Sequence, residues 1–295
     1  MLNSTPNVNG CATRLLPLES EITPRTSVNA LVAADLRSEL ARCSLARRIE
    51  LHQTVGSTND EARRLGRAGG QHGALVVAER QTHGRGRRER RWDSPAGVGI
   101  YLSVLLRPPA VGAPDYAAGV QLAAGIAVAE TISPLLTKPV ELVWPNDVFC
   151  VGLKMAGVLV EGETTGQGLD FLVCGIGVNV NQTREDFDPA LGGVGGSVRM
   201  LAGVRQDRQA LLVRLLFSLE SWERVARAGD GRALAERFES LSPTSVGCRT
   251  QVRTVEGPVE GESGGVTAQG ALILKTPAGV REIVVGEVER AWRKR

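Results

Sequence analysis

The chain has few cysteines and histidines, which are the usual ligands of zinc, and cysteine also forms disulfide cross-links. Its 295 residues include five cysteines and three histidines. The cysteines are widely scattered, with no C-x-x-C pair, and the histidines make no H-x-x-x-H cluster. Zinc sites and disulfide frameworks need closer or patterned spacing. The composition therefore favours reduced thiols in a core and disfavours a metal cage.

Long hydrophobic runs and a strong charge of either sign are also absent. The most apolar run, 117–132, is interrupted by Gly119, Gln121, Gly125 and Glu130, so we do not expect it to span a bilayer. No basic-then-apolar secretory pattern opens the chain, which favours a cytoplasmic location. The net charge of +3 is too mild to indicate a nucleic-acid-binding protein, whose domains usually carry a clear basic excess.

Hydrophobic periodicity and turn residues divide the chain into three parts. Residues 1–26 are rich in Asn, Ser, Thr and Pro, and we predict that they are poorly ordered. Helices are predicted over 31–45, 58–66, 116–132, 208–227 and 232–241, and strands over 49–55, 74–79, 100–106, 140–144, 153–161 and 170–178. After Pro243 only short strands and Gly-rich turns follow, which is typical of a small barrel.

We therefore predict an α+β fold, in which a mixed β-sheet flanked by helices precedes a small C-terminal β-barrel. The predicted parts are an N-terminal extension over 1–48, partly disordered and without a helix-turn-helix, a main domain over 49–243 and the barrel over 244–295. The helix at 116–132 is apolar nearly all round, so we expect it to be buried.

The most informative segment is a basic loop between two predicted strands, Gly84-Arg85-Gly86-Arg87-Arg88. Glycine lets a backbone take conformations that are closed to other residues, so the loop can wrap closely round a ligand. Arginine supplies a permanently charged, fork-shaped donor that suits phosphate and carboxylate oxygens. The loop predicts an anion-binding site without saying which anion it binds.

Three further segments carry candidate functional side chains, and each also has an ordinary structural explanation. Gly56-Ser57-Thr58-Asn59 is typical of a helix cap, with Asp60 placed to complete a capping box, but it could also bind a polar head group. Trp144-Pro145-Asn146-Asp147 is ordinary turn chemistry, although its carboxylate could hold magnesium or orient an amine. Lys154 opens a strand, where a lysine is usually solvated; pointing inward, it would neutralise reacting anions.

Taken in order, these segments resemble the biotin protein ligases, also called biotin–[acetyl-CoA-carboxylase] ligases. The resemblance starts near Leu51 and continues to the C-terminus. The matching blocks are Gly-Ser-Thr-Asn, Gln81-x-x-Gly-Arg-Gly-Arg-Arg, Trp92 with Ser94-Pro95, Trp-Pro-Asn-Asp, Lys154-x-x-Gly-x-Leu-x-Glu, Gly175-Ile-Gly-Val-Asn179, and, in the tail, 270–274 and 286–288. It implies the class II synthetase-like biotin–lipoate ligase fold for 49–243 and an SH3-like domain for 244–295.

The resemblance also implies a reaction, its substrates and its residues. Family members join biotin to ATP, with Mg²⁺, giving biotinyl-5′-adenylate, and then pass biotin to a lysine of a biotin carboxyl carrier protein. By similarity, the biotin-binding residues are Ser57, Thr58, Asn59, Gln81, Arg85, Gly86, Arg87 and Lys154. The residues implied for the adenylate are Arg85, Arg87, Trp92, Lys154 and Asn179. The catalytic residues implied are Lys154, Arg87 and Asp147, and no protein ligands of Mg²⁺ are implied.

Four residues depart from the family pattern. Glu89 stands where glycine is frequent in the loop, so we expect a carboxylate that pairs locally with the loop arginines. The other departures are Val143 in place of a frequent lysine, His83 in place of a small residue, and Thr267 in place of a common aspartate. These changes bear on the motion of the loop and on the rate.

Three alternatives compete with a biotin ligase. A lipoate or octanoate ligase shares the architecture, but the complete arginine loop and the β-rich tail count against it. A nucleic-acid-binding regulator would use the arginines to bind phosphates. The modest net charge and the presence of Glu89 in the loop argue against this alternative. A biotin-responsive repressor needs about three helices before the main domain, where we predict one. We expect the monofunctional form, without nucleic-acid or membrane partners, and leave monomer or homodimer open.

Overall fold

A computed structural model describes residues 30–109, 113–166, 168–188 and 193–293. The six α-helices of this part are α1 Ala33–Glu39, α2 Thr58–Arg67, α3 Ala113–Ile132, α4 Val198–Ala202, α5 Arg208–Arg227 and α6 Gly231–Ser240. The first seven strands are β1 Arg48–Val55, β2 Ala74–Gln81, β3 Gly99–Leu106, β4 Val140–Val143, β5 Asp147–Cys150, β6 Leu153–Thr165 and β7 Gly168–Asn179. The last five are β8 Val246–Thr254, β9 Gly257–Val266, β10 Leu272–Thr276, β11 Gly279–Ile283 and β12 Glu287–Arg293. The predicted disorder of residues 1–26, like Cys11, falls outside the described residues.

The larger sheet has seven strands in the order β1-β2-β3-β7-β6-β5-β4. Its β1 and β2 are parallel, and every other neighbouring pair is antiparallel. The two central strands β3 and β7 are almost entirely buried, which explains their nearly continuous apolar sequences. A mixed sheet flanked by helices is what the sequence predicts.

Helix α3 lies inside the protein, between the large sheet and α5. By length and composition alone, the segment Asp115–Leu135 reaches the range of a membrane-spanning helix, contrary to our expectation from its polar interruptions. However, 67% of its most apolar window is buried inside the fold. Its apolar surface is therefore already covered by protein, as in the core helix of a globular domain.

The smaller sheet is antiparallel, with five strands in the order β11-β10-β9-β8-β12, as expected of a small C-terminal β domain. It packs against the end of the large sheet and α6. The indole N–H of Trp144 donates to the carbonyl of Gly270 at 2.9 Å, and the N–H of Val266 donates to the Glu239 carboxylate at 2.6 Å. Residues of both parts belong to one hydrophobic core.

The predicted helix over 31–45 is wrong in its second half. Helix α1 ends at Glu39, the chain turns, and a short 3₁₀ segment follows at Ser44–Ala46. The backbone N–H and hydroxyl of Ser44 both donate to the Glu220 carboxylate on α5, at 2.7 and 2.5 Å. This tertiary pairing holds the chain out of helical geometry, while the leucines of the predicted apolar face remain buried.

Two short elements escaped the sequence analysis. The hairpin strand β5 follows the Trp-Pro-Asn-Asp turn, whose Trp144–Pro145 peptide is cis, and only its partner β4 was predicted. Helix α4, of five residues, is too short to show periodicity. The structural reading of Trp-Pro-Asn-Asp as a turn is confirmed, and the same turn also borders the cavity described next.

Candidate active site

A cavity of about 350 Å³ opens between the large sheet, the arginine loop and the small domain. Its size suits a small-molecule ligand. All residues implied by the sequence line it: Ser57, Thr58, Asn59, Gln81, Arg85, Gly86, Arg87, Trp92, Asp147, Lys154 and Asn179. The small domain contributes Glu287 and Val288 to the same lining. Segments that are more than 100 residues apart thus converge on one site.

One side of the cavity is a network of neutral hydrogen bonds at the start of α2. The Thr58 N–H donates to Gln81 Oε1 at 2.8 Å, and Gln81 Nε2 donates to Ser94 Oγ at 2.9 Å. Ser57, the residue before the helix, makes no side-chain cap, and the Asp60 N–H donates to the Ser57 carbonyl at 3.1 Å instead. The predicted capping box with Asp60 is therefore wrong; that carboxylate turns to the arginine loop.

The network continues into the sheet through Ser103, which the sequence analysis did not identify. Its hydroxyl lies 2.8 Å from Thr58 Oγ1 and 2.6 Å from Asn59 Oδ1, and all three residues are buried. Asn59 Nδ2 donates to Glu161 at 2.6 Å, while Asn59 lies so close over Gly175 that a Cβ there would clash. A lone hydroxyl in the apolar strand β3 was the feature that could have indicated Ser103.

The Trp92 indole lies across a pair of glycines on neighbouring strands. Gly157 of β6 and Gly177 of β7 are register partners, and a Cβ on Gly177 would lie 2.5 Å from Trp92 Nε1. At Gly157 a Cβ would approach Trp92 to 3.3 Å, and Asp147 and Lys154 to 3.7 Å. The glycines therefore leave room for the functional side chains at the base of the cavity. The indole N–H is buried and has no hydrogen-bond partner among the described residues.

Lys154 and Asp147 form an ion pair at the centre of the site. Lys154 Nζ lies 2.7 Å from Asp147 Oδ1 and 5.7 Å from the centre of the Trp92 ring, over its face. The Lys154 backbone is fixed through its N–H to the Val194 carbonyl at 2.7 Å. Its side chain thus points inward, so the reading of Lys154 as a solvated edge residue is wrong. The neighbouring Asn179 is buried and donates to the Lys154 carbonyl at 3.2 Å.

The arginine loop is held on both sides of the cavity. Arg85 binds Asp60 of α2 through two bonds, at 2.7 and 2.5 Å. The hydrogen bond from Arg85 holds the pKa of the Asp60 carboxyl below its usual range, and Asp60 raises the pKa of Arg85. On the far side, Arg87 donates to the Gly286 carbonyl at 2.8 Å, and Arg90 makes a bidentate pair with Glu287 at 2.5 and 2.7 Å. Burial lowers the pKa of Arg87, whereas the negative charge of Glu287 raises it.

The backbone of the loop differs from what its glycines suggested. Gly84 is required for a close approach to the Trp92 carbonyl, which a Cβ would obstruct, rather than for a left-handed conformation. The left-handed residues are instead Arg88 and Glu89, with φ of 54° and 59°. This conformation gives the reason why glycine suits position 89. Within the described residues Glu89 makes no ion pair, so the expected local pairing with the loop arginines is wrong.

The other departures from the family pattern have ordinary environments. Val143 lines the cavity, and the His83 N–H donates to the Gly56 carbonyl at 2.8 Å beside the site. The Thr267 hydroxyl accepts the Ala271 N–H at 3.1 Å and so closes a turn, as an aspartate would. Val143 thus places an apolar side chain in the cavity lining.

Metal-binding and thiol chemistry find little support in the described part of the chain. It contains no group of three or more His, Cys, Asp or Glu side chains that could hold a metal. Its four cysteines are buried and unpaired, and burial raises the pKa of Cys43 to about 11 and that of Cys174 to about 12. The thiols of Cys43 and Cys174 therefore stay protonated at neutral pH.

Comparison with known proteins agrees with this geometry. Residues 48–179 match the Biotin/lipoate A/B protein ligase family, and residues 247–290 match the Biotin protein ligase C terminal domain. The biotin–[acetyl-CoA-carboxylase] ligase of Mycobacterium tuberculosis is 35% identical over 246 residues, which cover 81% of this chain and 86% of that protein. The chain belongs to the biotin protein ligase family.

Two further members of the biotin protein ligase family extend the comparison. The bifunctional ligase/repressor BirA of Bacillus subtilis is 30% identical over 261 residues, covering 88% of this chain and 79% of that protein. A biotin protein ligase from Aquifex aeolicus, solved in complex with biotin and ATP, has a TM-score of 0.70 at 28% identity. That match covers 84% of this chain and 100% of the other. The predicted family and fold are confirmed.

Proposed function

We propose that this chain is an ATP-dependent biotin protein ligase, a biotin–[acetyl-CoA-carboxylase] ligase. It forms biotinyl-5′-adenylate from biotin and ATP and then transfers biotin to a lysine of a biotin carboxyl carrier protein. The observation that carries the proposal is the cavity around Lys154, where a neutral hydrogen-bonding wall faces a set of arginines. A neutral head group with a carboxylate tail, and a triphosphate, are ligands that such a pair of surfaces complements.

In the first step, a carboxylate oxygen of biotin attacks the α-phosphorus of ATP. The new bond joins that oxygen to phosphorus, and the bond to the β-phosphate bridging oxygen breaks, so pyrophosphate leaves. Two anions must approach each other for this, and cations offset their repulsion. Lys154 lies in the cavity where it can contact both groups, with Arg85 and Arg87 of the loop beside it. Their role is positioning and electrostatic stabilisation rather than covalent catalysis.

In the second step, the ε-amine of the carrier lysine attacks the acyl carbon of the adenylate. An amide forms, the bond from the acyl carbon to the phosphate oxygen breaks, and AMP leaves. The amine must lose a proton, and Asp147 is the carboxylate in the cavity that we assign to orient it or accept that proton. This carboxylate is bound to Lys154, so an anionic ligand on Lys154 would release it.

The chemistry of each cavity wall indicates which substrate would bind there. Ser57, Thr58, Asn59 and Gln81 would contact biotin, and Gly86 lets the loop pass close to it. The indole of Trp92, whose buried N–H has no partner among the described residues, and the amide of Asn179 would lie against the adenylate. Mg²⁺ is expected with ATP, where it neutralises phosphate charge. Mg²⁺ usually takes only one or two protein carboxylates beside substrate phosphates and water, so the phosphates would supply much of its coordination.

A substrate comparison tests this function. The purified chain is incubated with ATP, Mg²⁺ and either biotin, lipoate or octanoate, and pyrophosphate is measured. Release that depends on biotin alone is expected. Labelled biotin is then followed onto a biotin carboxyl carrier domain, with a carrier whose acceptor lysine is replaced by arginine as the control. Pyrophosphate with lipoate or octanoate only would contradict the proposal.

Two alternative functions can also be tested. The matching family model covers lipoate ligases as well, which the substrate comparison separates. A second role as a repressor is suggested by the name of the Bacillus subtilis relative. Residues 30–48 hold one helix and a 3₁₀ segment, and the proposal is a ligase without DNA binding. Salt-sensitive binding of duplex DNA by the full chain would overturn that part. We also propose the cytoplasm as the location.

A further inference from the structure

The tip of the arginine loop is attached to one corner of the small C-terminal domain. Arg90 forms its bidentate pair with Glu287, Arg87 donates to the Gly286 carbonyl, and Arg88 donates to the Arg253 carbonyl at 3.2 Å. Glu287 and Arg253 are register partners on β12 and β8. Three successive contacts of the loop therefore end on one corner of the second sheet.

The loop itself is a narrow hairpin, so its contacts with the small domain constrain all of it. Arg85 and Arg91 form a β-bridge, and the Gly86 N–H donates to the Arg90 carbonyl at 2.7 Å. Arg87 lies inside this hairpin, between the cross-linked ends. Any motion that lifts Arg90 away from the small domain must therefore also move Arg87 away from the cavity.

We propose that Glu287 is a positioning residue, which acts through Arg90 to hold the 85–91 hairpin over the cavity and so retains the acyl-adenylate. The inference rests on the proposed function for the identity of what is retained. It assigns the small domain a direct part in the reaction, because Glu287 and Val288 also form part of the cavity wall. Glu287 need not touch the reacting atoms for this role.

The exposure of the pair sets how large the effect can be. The Arg90 side chain is 55% exposed and that of Glu287 is 24% exposed, so water screens the attraction. Bidentate geometry restores part of its strength. Loss of the pair should therefore accelerate opening of the hairpin about two- to fivefold, the range expected for partly exposed ion pairs. A defect of this size leaves the fold intact.

The test compares Glu287→Gln with the wild-type full chain. With biotin and ATP but no carrier, we expect adenylate to enter solution about two- to fivefold faster, with a smaller change in single-turnover adenylate formation. Trypsin should cleave the arginine-rich hairpin faster by a similar factor. Glu260→Gln is the matched control, since Glu260 pairs with Arg249 on the same small domain away from the hairpin. It should retain adenylate and resist trypsin like the wild type.

An exchange of charges separates positioning from a general loss of stability. Arg90→Glu alone should release adenylate faster, and Arg90→Glu combined with Glu287→Arg should recover much of the loss. Wild-type retention and wild-type cleavage in Glu287→Gln would overturn the inference, as would strictly additive losses in the exchange. If the wild type made no adenylate at all, the proposed function would fail, whereas the trypsin comparison would still report whether Glu287 holds the hairpin.

Discussion

The two walls of the cavity are built on opposite principles. The wall at α2 and β3 consists of neutral groups, Thr58, Asn59 and Ser103, which are buried and bonded to one another between the helix and the strand. The facing loop consists of arginines that are half-buried or exposed and are bound to α2 on one side and to the small domain on the other. The wall at α2 and β3 is part of the core, whereas the arginine loop is held in place by ion pairs at its two ends.

This difference indicates a division of labour. Buried neutral hydrogen bonds keep a fixed geometry, because breaking one leaves an unpaired polar group away from water. Partly exposed ion pairs contribute less and exchange readily with solvent or with an anionic ligand. We therefore expect the fixed wall to determine which ligand binds, and the loop to determine how long a charged intermediate stays.

The largest expected effect lies where the two walls meet. Lys154→Ala removes the cation that both substrates would share, and loss of such a preorganised charge costs roughly 2.7–4 kcal/mol of barrier. Biotin-dependent pyrophosphate release should fall about 100- to 1000-fold, as followed in a coupled phosphate assay. Lys138→Ala, an exposed lysine before β4, is the control. Normal adenylate synthesis in Lys154→Ala would remove Lys154 from the mechanism.

The next effect concerns the fixed wall. Ser103→Ala removes the hydroxyl that bonds Asn59 Oδ1, which leaves a buried acceptor unpaired. The free energy of unfolding should fall by about 1–3 kcal/mol, as measured by urea denaturation, and biotin should bind more weakly in a calorimetric titration. Ser221→Ala on the exposed side of α5 should change neither quantity. Undiminished stability and affinity would show that this wall is less preorganised than its hydrogen bonds suggest.

These predictions depend on parts of the site that the sequence revealed unequally. The blocks around Ser57, Gln81, Asp147 and Lys154 could be predicted, because each stands where a strand or helix starts or ends, and their order resembles a family. The same resemblance also predicted the fold. What remained hidden was the pairing of long-range partners: Arg90 and Glu287 are 197 residues apart, and no periodicity links them.

The local conformation differs from the sequence-based prediction at two places. The Ser57-to-Asp60 segment has the composition of a capping box, yet the Asp60 carboxylate binds Arg85 of the loop instead of the start of the helix. In the loop, glycine was expected to supply the unusual backbone, whereas Arg88 and Glu89 are the left-handed residues. In both cases a tertiary contact overrides a local preference. Such contacts cluster at the site because the site joins several elements.

A smaller effect is expected when the loop loses one of its cations. Arg87→Ala removes a donor to the Gly286 carbonyl and a positive charge at the cavity. Adenylate should escape into solution about tenfold faster, near the lower end expected for a charged hydrogen bond. Thin-layer separation of labelled adenylate from the enzyme measures this escape. The control is Arg214→Ala on the exposed side of α5; equal retention by both variants would mean that the loop does not contain the intermediate.

The smallest effect, on the α2 side of the loop, depends on pH. Arg85 holds the folded-state pKa of Asp60 below its ordinary value of 3.8, mainly by its hydrogen bond. A carboxyl whose pKa is depressed by folding adds stability above its unfolded pKa, and this contribution disappears as the pH falls through the folded value. Asp60 is 47% exposed, so the contribution at pH 7 should be only about 0.2–1 kcal/mol.

Asp60→Asn should therefore lower the free energy of unfolding slightly at pH 7, and the gap to the wild type should close below about pH 3.8, where Asp60 becomes protonated. Urea denaturation of both proteins at several pH values measures this gap. Asp35→Asn on α1 is the comparison, because Asp35 lies away from the loop. A gap of several kcal/mol for Asp60→Asn would contradict the contrast between the walls, since the α2 attachment would then be as firmly built as the buried network around Ser103.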